Sequence, residues 1–81
     1  MFYAIIFIVM NILTIGETIK KRRKLLGLDQ REFSEITGVA IHTISDIESG
    51  KGNPTIDTII KICQPLGLEF ILRVTKSDAR E

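Results

Sequence analysis

The apolar positions of this chain change their spacing along its length, and those changes divide it into segments. From Thr14 to Leu66 they recur every three or four residues in short runs, the repeat of helices that bury one face. In LEFILRVT, residues 68 to 75, they alternate instead, with Leu68, Phe70, Leu72 and Val74 on one side and Glu69, Arg73 and Thr75 on the other, which is the period of a half-buried strand. Ahead of both stands MFYAIIFIV, apolar and without a period.

The residues between the runs predict four short helices. Thr14 followed by Glu17 has capping-box spacing and opens a first helix, which Gly27 closes from the left-handed region just past its end. Asp29 and Glu32 repeat the box for a second helix that ends at Gly38, with Leu28 packing on Phe33 to staple its start. A third begins at about Ala40, carries Ile41, Ile44 and Ile47 on one stripe, and ends at Gly50 and Gly52. Thr55, after Pro54, caps a fourth bearing Ile56, Ile59, Ile60, Ile62 and Cys63, with Asp57 well placed in its positive first turn. Pro65 has no amide to donate, so the last turn is strained or ended there.

A lone strand cannot satisfy its own amides. Residues 68 to 75 must therefore pair with the same strand of a second copy or with the apolar N-terminus. A chain of 81 residues buries a small share of its surface, which also points to oligomerisation. The apolar run through Leu13 is shorter than the roughly 20 residues of a membrane-spanning helix, and it lacks the basic start and small-residue cleavage site of a signal peptide. Two readings of it stay open: a β-strand, which its Ile, Val, Phe and Tyr content favours, or an extension from an upstream start codon with Met10 opening the natural product. The expected organisation is an apolar extension or strand at 1–13, a helical domain at 14–67, a dimerisation strand at 68–75 and a solvated tail at 76–81.

The net charge of +1 is not that of a general polyanion binder, but its distribution is uneven. Residues 14 to 31 carry Lys20, Lys21, Arg22, Arg23, Lys24 and Arg31 against Glu17 and Asp29, whereas residues 32 to 57 carry Glu32, Glu35, Asp46, Glu48 and Asp57 against Lys51 alone. The five consecutive residues of KKRRK point all round a helix, so two or three of them can face one DNA strand and the rest form a solvated coat. Cys63 is the only cysteine and cannot form a disulfide within the chain; between Ile62 and Leu66 it reads as a small buried hydrophobe in a reducing cytoplasm. One cysteine and one histidine do not make a metal site. Ser45, His42 and Asp46 have the residue types of a hydrolase triad, but three neighbours on one exposed helix cannot converge in a shielded pocket. With no glycine-rich phosphate loop either, the chain is read as neither an enzyme nor a cofactor binder.

Two short helices joined through a glycine, the second with a polar outer face, match the helix-turn-helix, whose second helix enters the major groove of DNA. On a helical wheel His42, Thr43, Ser45, Asp46 and Ser49 point away from Ile44 and Ile47. Small hydrogen-bonding side chains let such a helix approach base edges that a long charged coat would keep at a distance.

The ordered motifs IKKRRKLLGLDQREFSEITGVA, HTISDIESGKGNP and TIDTIIKICQPLG resemble the Cro/C1-type (xenobiotic-response-element, XRE) helix-turn-helix family of bacterial and phage regulators, from about Thr14 to Gly67. The resemblance implies an all-α, lambda-repressor-like bundle of four short helices. It also implies that Gln30 bonds a phosphate at the N-terminus of the second helix. Ile41, His42 and Asp46 fall where the family reads bases, Thr43 and Ser45 where it touches backbone or bases, and Lys51 and Asn53 where the following loop meets phosphates. Arg23 and Glu48 match a family pair that ties the first helix to the recognition helix.

Three departures weaken the expected DNA reading. Ala40 stands where the family commonly has a Ser or Thr cap, a loss of about 1 kcal/mol. Ile41 cannot hydrogen-bond a base; it either touches a thymine methyl or extends the core stripe, and the stripe favours the core. Asp46 repels phosphate and accepts only from a cytosine amino group, unless it pairs with His42 one turn earlier.

Most members of the family continue into a fifth helix where this chain turns into a strand. That shape resembles the HipB-type antitoxins, in which the strand pairs across a homodimer that represses its own operon and holds a HipA-like kinase toxin. The implied partners are thus a second copy, a palindromic operator in double-stranded DNA and a toxin of that kind, with no membrane involved.

Overall fold

The computed structural model describes residues 12–71, and every structural statement below concerns that span. Helix α1 covers Ile12–Leu25, α2 Gln30–Thr37, α3 Ile41–Glu48 and α4 Ile56–Cys63, followed by a single 3-10 turn at Gln64–Leu66.

Local chemistry sets most of these limits. The Asp29 carboxylate accepts from the Glu32 amide at 2.7 Å while the Glu32 carboxylate accepts from the Asp29 amide at 2.9 Å, so two otherwise unpaired donors at the start of α2 are satisfied reciprocally. Thr55 Oγ1 accepts from the Thr58 amide at 3.1 Å and opens α4. Gly38 ends α2 at φ 75°, where a Cβ would be strained, and Gly67 ends the 3-10 turn containing Pro65 at φ 73°.

The start of α1 corrects one expectation. The helix is already formed at Ile12, so Thr14 lies inside it and does not cap it. Thr18, one turn on, donates its hydroxyl to the Thr14 carbonyl at 2.9 Å. The capping-box spacing carried no start signal here because it also fits a helix interior when the residues ahead of it can continue the helix.

The core is formed by Ile19 of α1, Phe33 of α2, Val39 of the turn, Ile44 and Ile47 of α3, Ile59, Ile62 and Cys63 of α4, and Leu66. Ile15, Leu28, Leu68 and Phe70 pack against it from the edge. Leu28 thus seats the start of α2 on the core, as a staple would. Ile41 departs from the predicted stripe: it is 44% exposed, so α3 inserts only Ile44 and Ile47 among its isoleucines. Ile56 and Ile60 of α4 also face outward.

Residues 68–71 form neither helix nor strand, and among the described residues there is no strand. Their burial nonetheless alternates, with Leu68 and Phe70 half-buried and Glu69 and Ile71 exposed. Leu72 and Val74, the outer half of the expected dimerisation strand, lie outside the described residues, as do the apolar run at 1–9 and the tail at 76–81. No described helix is long and apolar enough to cross a membrane.

Candidate nucleic-acid interface

Helices α2 and α3 are joined through Gly38, Val39 and Ala40, and side chains make this turn rigid. The buried Thr37 hydroxyl donates to the Phe33 carbonyl at 2.9 Å and accepts from the Val39 amide at 3.1 Å. Ser34 donates to the Val39 carbonyl at 2.6 Å. The polar backbone of the turn is therefore paired at the point where Val39 enters the core, which fixes the direction in which α3 leaves.

A buried ion pair fixes α3 at its other end. Arg23 Nε lies 2.7 Å from Glu48 Oε2 and Nη2 lies 2.9 Å from Oε1, a two-pronged contact, while Nη1 donates to the Leu28 carbonyl at 2.7 Å. Both residues are 5% exposed. The hydrogen bond to Glu48 raises the Arg23 guanidinium above its ordinary pKa against the opposing effect of burial, so Arg23 stays charged. The Gln30 amide adds a third donor, Nε2 to Glu48 Oε1 at 3.1 Å. One N–H of Gln30 is thus engaged inside the protein, and its amide group carries a second. Through Glu48 the first turn of α2, α1 and the end of α3 are tied at one point.

Held at both ends, α3 turns Ile44, Ile47 and Glu48 inward. Ile41, His42 and Ser45 are exposed on the opposite side, and Thr43 and Asp46 are half-buried at its margins. His42 Nε2 stands 3.4 Å from Asp46 Oδ2, one helical turn apart, with the two side chains 85% and 38% exposed. Ser49 folds back on the helix, its hydroxyl donating to the Ser45 carbonyl at 2.7 Å. Ala40 is the N-cap and makes no side-chain hydrogen bond there. After α3 the chain turns through Gly50 and Gly52, both at positive φ. The Lys51 amide donates to the Asp46 carbonyl at 2.8 Å. The side chains of Lys51 and Asn53 are exposed in this loop.

Within the basic run Arg23 takes the place the resemblance implies, and Arg22 is the departure. Arg23 is buried, and Arg22 donates Nε and Nη2 to the Leu66 carbonyl at 3.1 and 2.8 Å, securing the end of the 3-10 turn. These two arginines are internal fastenings and not a solvated coat; Lys20, Lys21 and Lys24 are the exposed members. Nothing in the residues around Arg22 indicates its partner, which lies 44 positions away.

Gly16 has a packing role outside the motifs of the sequence. It sits on the inward face of α1, and a Cβ there would collide with the Ile47 carbonyl oxygen and come within 3.1 Å of the Glu48 backbone. Its position three residues before Ile19 and seven before Arg23 was the available signal, because a glycine on a buried helical stripe marks a close backbone approach.

Among the described residues no group of three or more His, Cys, Asp or Glu side chains could hold a metal ion. Burial pushes the Cys63 thiol up from its ordinary value, leaving it protonated and unreactive at neutral pH.

Comparison with known proteins agrees with this geometry. The chain is 31% identical over 64 residues to the HTH-type transcriptional regulator y4dJ of Sinorhizobium fredii, covering 79% of this chain and 83% of that protein. It is 34% identical over 58 residues to an HTH-type transcriptional regulator of Haemophilus influenzae, covering 72% of this chain and 58% of the relative. With the HTH-type transcriptional regulator PuuR of Escherichia coli it shares 35% identity over 66 residues, 78% of this chain but 36% of PuuR, so it spans about a third of that relative. Residues 19–72, from the middle of α1 to just past the described segment, match the helix-turn-helix family model, and the chain belongs to the XRE-type helix-turn-helix family.

Proposed function

We propose that this chain is a sequence-specific DNA-binding transcriptional repressor that acts as a homodimer on a palindromic operator. The observation that carries the reading is the outer face of α3, where Ile41, His42, Ser45 and Asp46 stand opposite a fully buried stripe on a helix fixed at both ends. The relatives named as transcriptional regulators support it. In this reading Ala40, Ile41, His42, Thr43, Ser45 and Asp46 approach the bases and backbone of the major groove. Gln30, Lys51 and Asn53 meet phosphates, so affinity falls as salt rises.

Dimerisation is proposed through Leu68, Phe70, Leu72 and Val74. Its support is the alternating burial of residues 68–71, the 58% exposure of Ile71, and an apolar groove of about 140 Å³ whose walls include Ile15, Ile59, Phe70 and Ile71. A two-fold pair would set two α3 helices about 34 to 36 Å apart, one turn of DNA.

The test is a titration of the protein's own promoter at about 50 and about 200 mM salt, where phosphate-dominated binding differs by orders of magnitude. Binding with sequence preference is expected; none at either salt would leave a protein-interaction module, for which the uncapped Ala40 and the outward Asp46 are the motivation. Gln30→Ala should weaken binding to all sequences by similar factors, whereas His42→Ala should change which are preferred.

The narrower reading is that the repressor is the antitoxin of a HipBA-like pair. It is favoured by the non-helical course of the chain after Gly67, where a fifth helix would otherwise begin. Co-purification with a HipA-like kinase encoded beside it is expected; a gene with no such neighbour, and a protein that purifies alone, would leave a stand-alone phage-type repressor.

A further inference from the structure

The outer face of α3 carries a negative charge where DNA would be, and its geometry gives that charge a use. Asp46 is half-buried, 38% of its side chain exposed, and its Oδ2 lies 3.4 Å from Nε2 of His42. Among the described residues the Asp46 carboxylate pairs with no other cation. The backbone at this point is held by the following loop, whose Lys51 amide donates to the Asp46 carbonyl at 2.8 Å. With Oδ2 beside His42, the other carboxylate oxygen is left to meet a donor across the groove.

We infer that Asp46, positioned by His42, selects a cytosine in each half of the operator; this rests on the DNA-binding reading above. An ionised carboxylate only accepts hydrogen bonds. In the major groove cytosine and adenine alone present amino donors, and the adenine amino group sits beside the N7 acceptor, whose lone pair repels a carboxylate. The cytosine amino group is flanked on its own base by a C–H. Thymine and guanine offer acceptors on their groove edges and are rejected. Asp46 is therefore one specificity residue of this face and also a penalty against random DNA, because without a cytosine its charge faces phosphates with no donor in return. His42 is a positioning residue: its Nε2, 3.4 Å from Oδ2, favours one carboxylate rotamer and offsets part of that repulsion.

The experiment selects binding sites from a randomised duplex library with the parent, Asp46→Asn, His42→Ala and His42→Gln, and measures the affinity of each for the chosen duplex and its single-base variants. Both side chains lie on the surface, and thermal melts confirm that each variant is folded. The parent should select a cytosine at one position in each half-site, and replacing it with thymine should weaken binding about tenfold per half-site. Asp46→Asn, which both donates and accepts, should move that preference to adenine. His42→Ala should reduce the discrimination at that same base pair severalfold and have no further effect on it in the Asp46→Asn background, while His42→Gln, which keeps a donor, should retain most of it. A parent and an Asp46→Asn variant that select the same bases would overturn the inference and leave the DNA-binding reading intact. Discrimination at that base unchanged by His42→Ala would overturn the positioning role. A parent that selects no sequence would overturn the underlying reading, and this inference with it.

Discussion

Removing the Glu48 carboxylate should be the most damaging single change on the α3 side of the molecule. Glu48 accepts from Arg23 Nε, Arg23 Nη2 and Gln30 Nε2, and the side chains of the ion pair are 6% and 3% exposed. Glu48→Ala leaves the Arg23 guanidinium buried with only the Leu28 carbonyl as an acceptor. Breaking a buried pair from one side costs about 3–5 kcal/mol. A domain of this size has total stability of about 5 kcal/mol, so Glu48→Ala should keep at most about 2 kcal/mol and carry a measurable unfolded fraction at 25 °C that a stabilising osmolyte reduces. Glu48→Gln retains a carbonyl acceptor and the side-chain shape, and should cost about 1–3 kcal/mol. The double variant Arg23→Met/Glu48→Leu buries no charge and should be more stable than Glu48→Ala by about 2 kcal/mol or more. Urea unfolding followed by far-ultraviolet circular dichroism measures all of these. With a slope near 1 kcal/mol per molar, the Glu48→Gln midpoint should fall by about 1–3 M. A Glu48→Gln midpoint within about 0.5 M of the parent, together with additive single-variant costs for Arg23→Met and Glu48→Leu, would refute the view that this pair is desolvated and holds α1 to α3.

Other substitutions test separate parts of the structure. Gly16→Ala gains about 1 kcal/mol of helix propensity but drives a methyl into the Ile47 carbonyl; the steric term should win, lowering the melting temperature by about 5 °C or more, and a rise would show that α1 and α3 do not approach this closely. Ala40→Ser restores the missing N-cap of α3 and should add about 1 kcal/mol in chemical unfolding; no gain would mean that the α3 N-terminus already has other partners. Burial raises the Cys63 thiol above its ordinary value of 9.0, so above that pH the unfolded chain binds fewer protons than the folded one and stability falls, by at most about 1.4 kcal/mol per pH unit. Its contribution is fully present below pH 9.0. The decline in stability from pH 8.5 to 10 should therefore be shallower in Cys63→Ala than in the parent, and equal slopes would place the thiol in contact with water.

The amino-acid sequence determined what depends on near neighbours. The Asp29 and Glu32 box, the Thr55 cap, the left-handed Gly38 and Gly67 and the inward Ile44, Ile47, Ile59 and Ile62 all follow from interactions within about four residues, and the structure has each where the local pattern puts it. The pairing of Arg23 with Glu48 came from family resemblance, because two charges 25 positions apart carry no local mark of contact. Tertiary structure alone decided where Arg22 goes, that Gln30 gives one N–H to Glu48, and that Ile41 turns outward. A helical stripe defines a face only to within a residue or so, and a long polar side chain can reach several partners. Which partner it takes depends on the angle and distance at which separate helices meet, and those are set by the shape of the whole core.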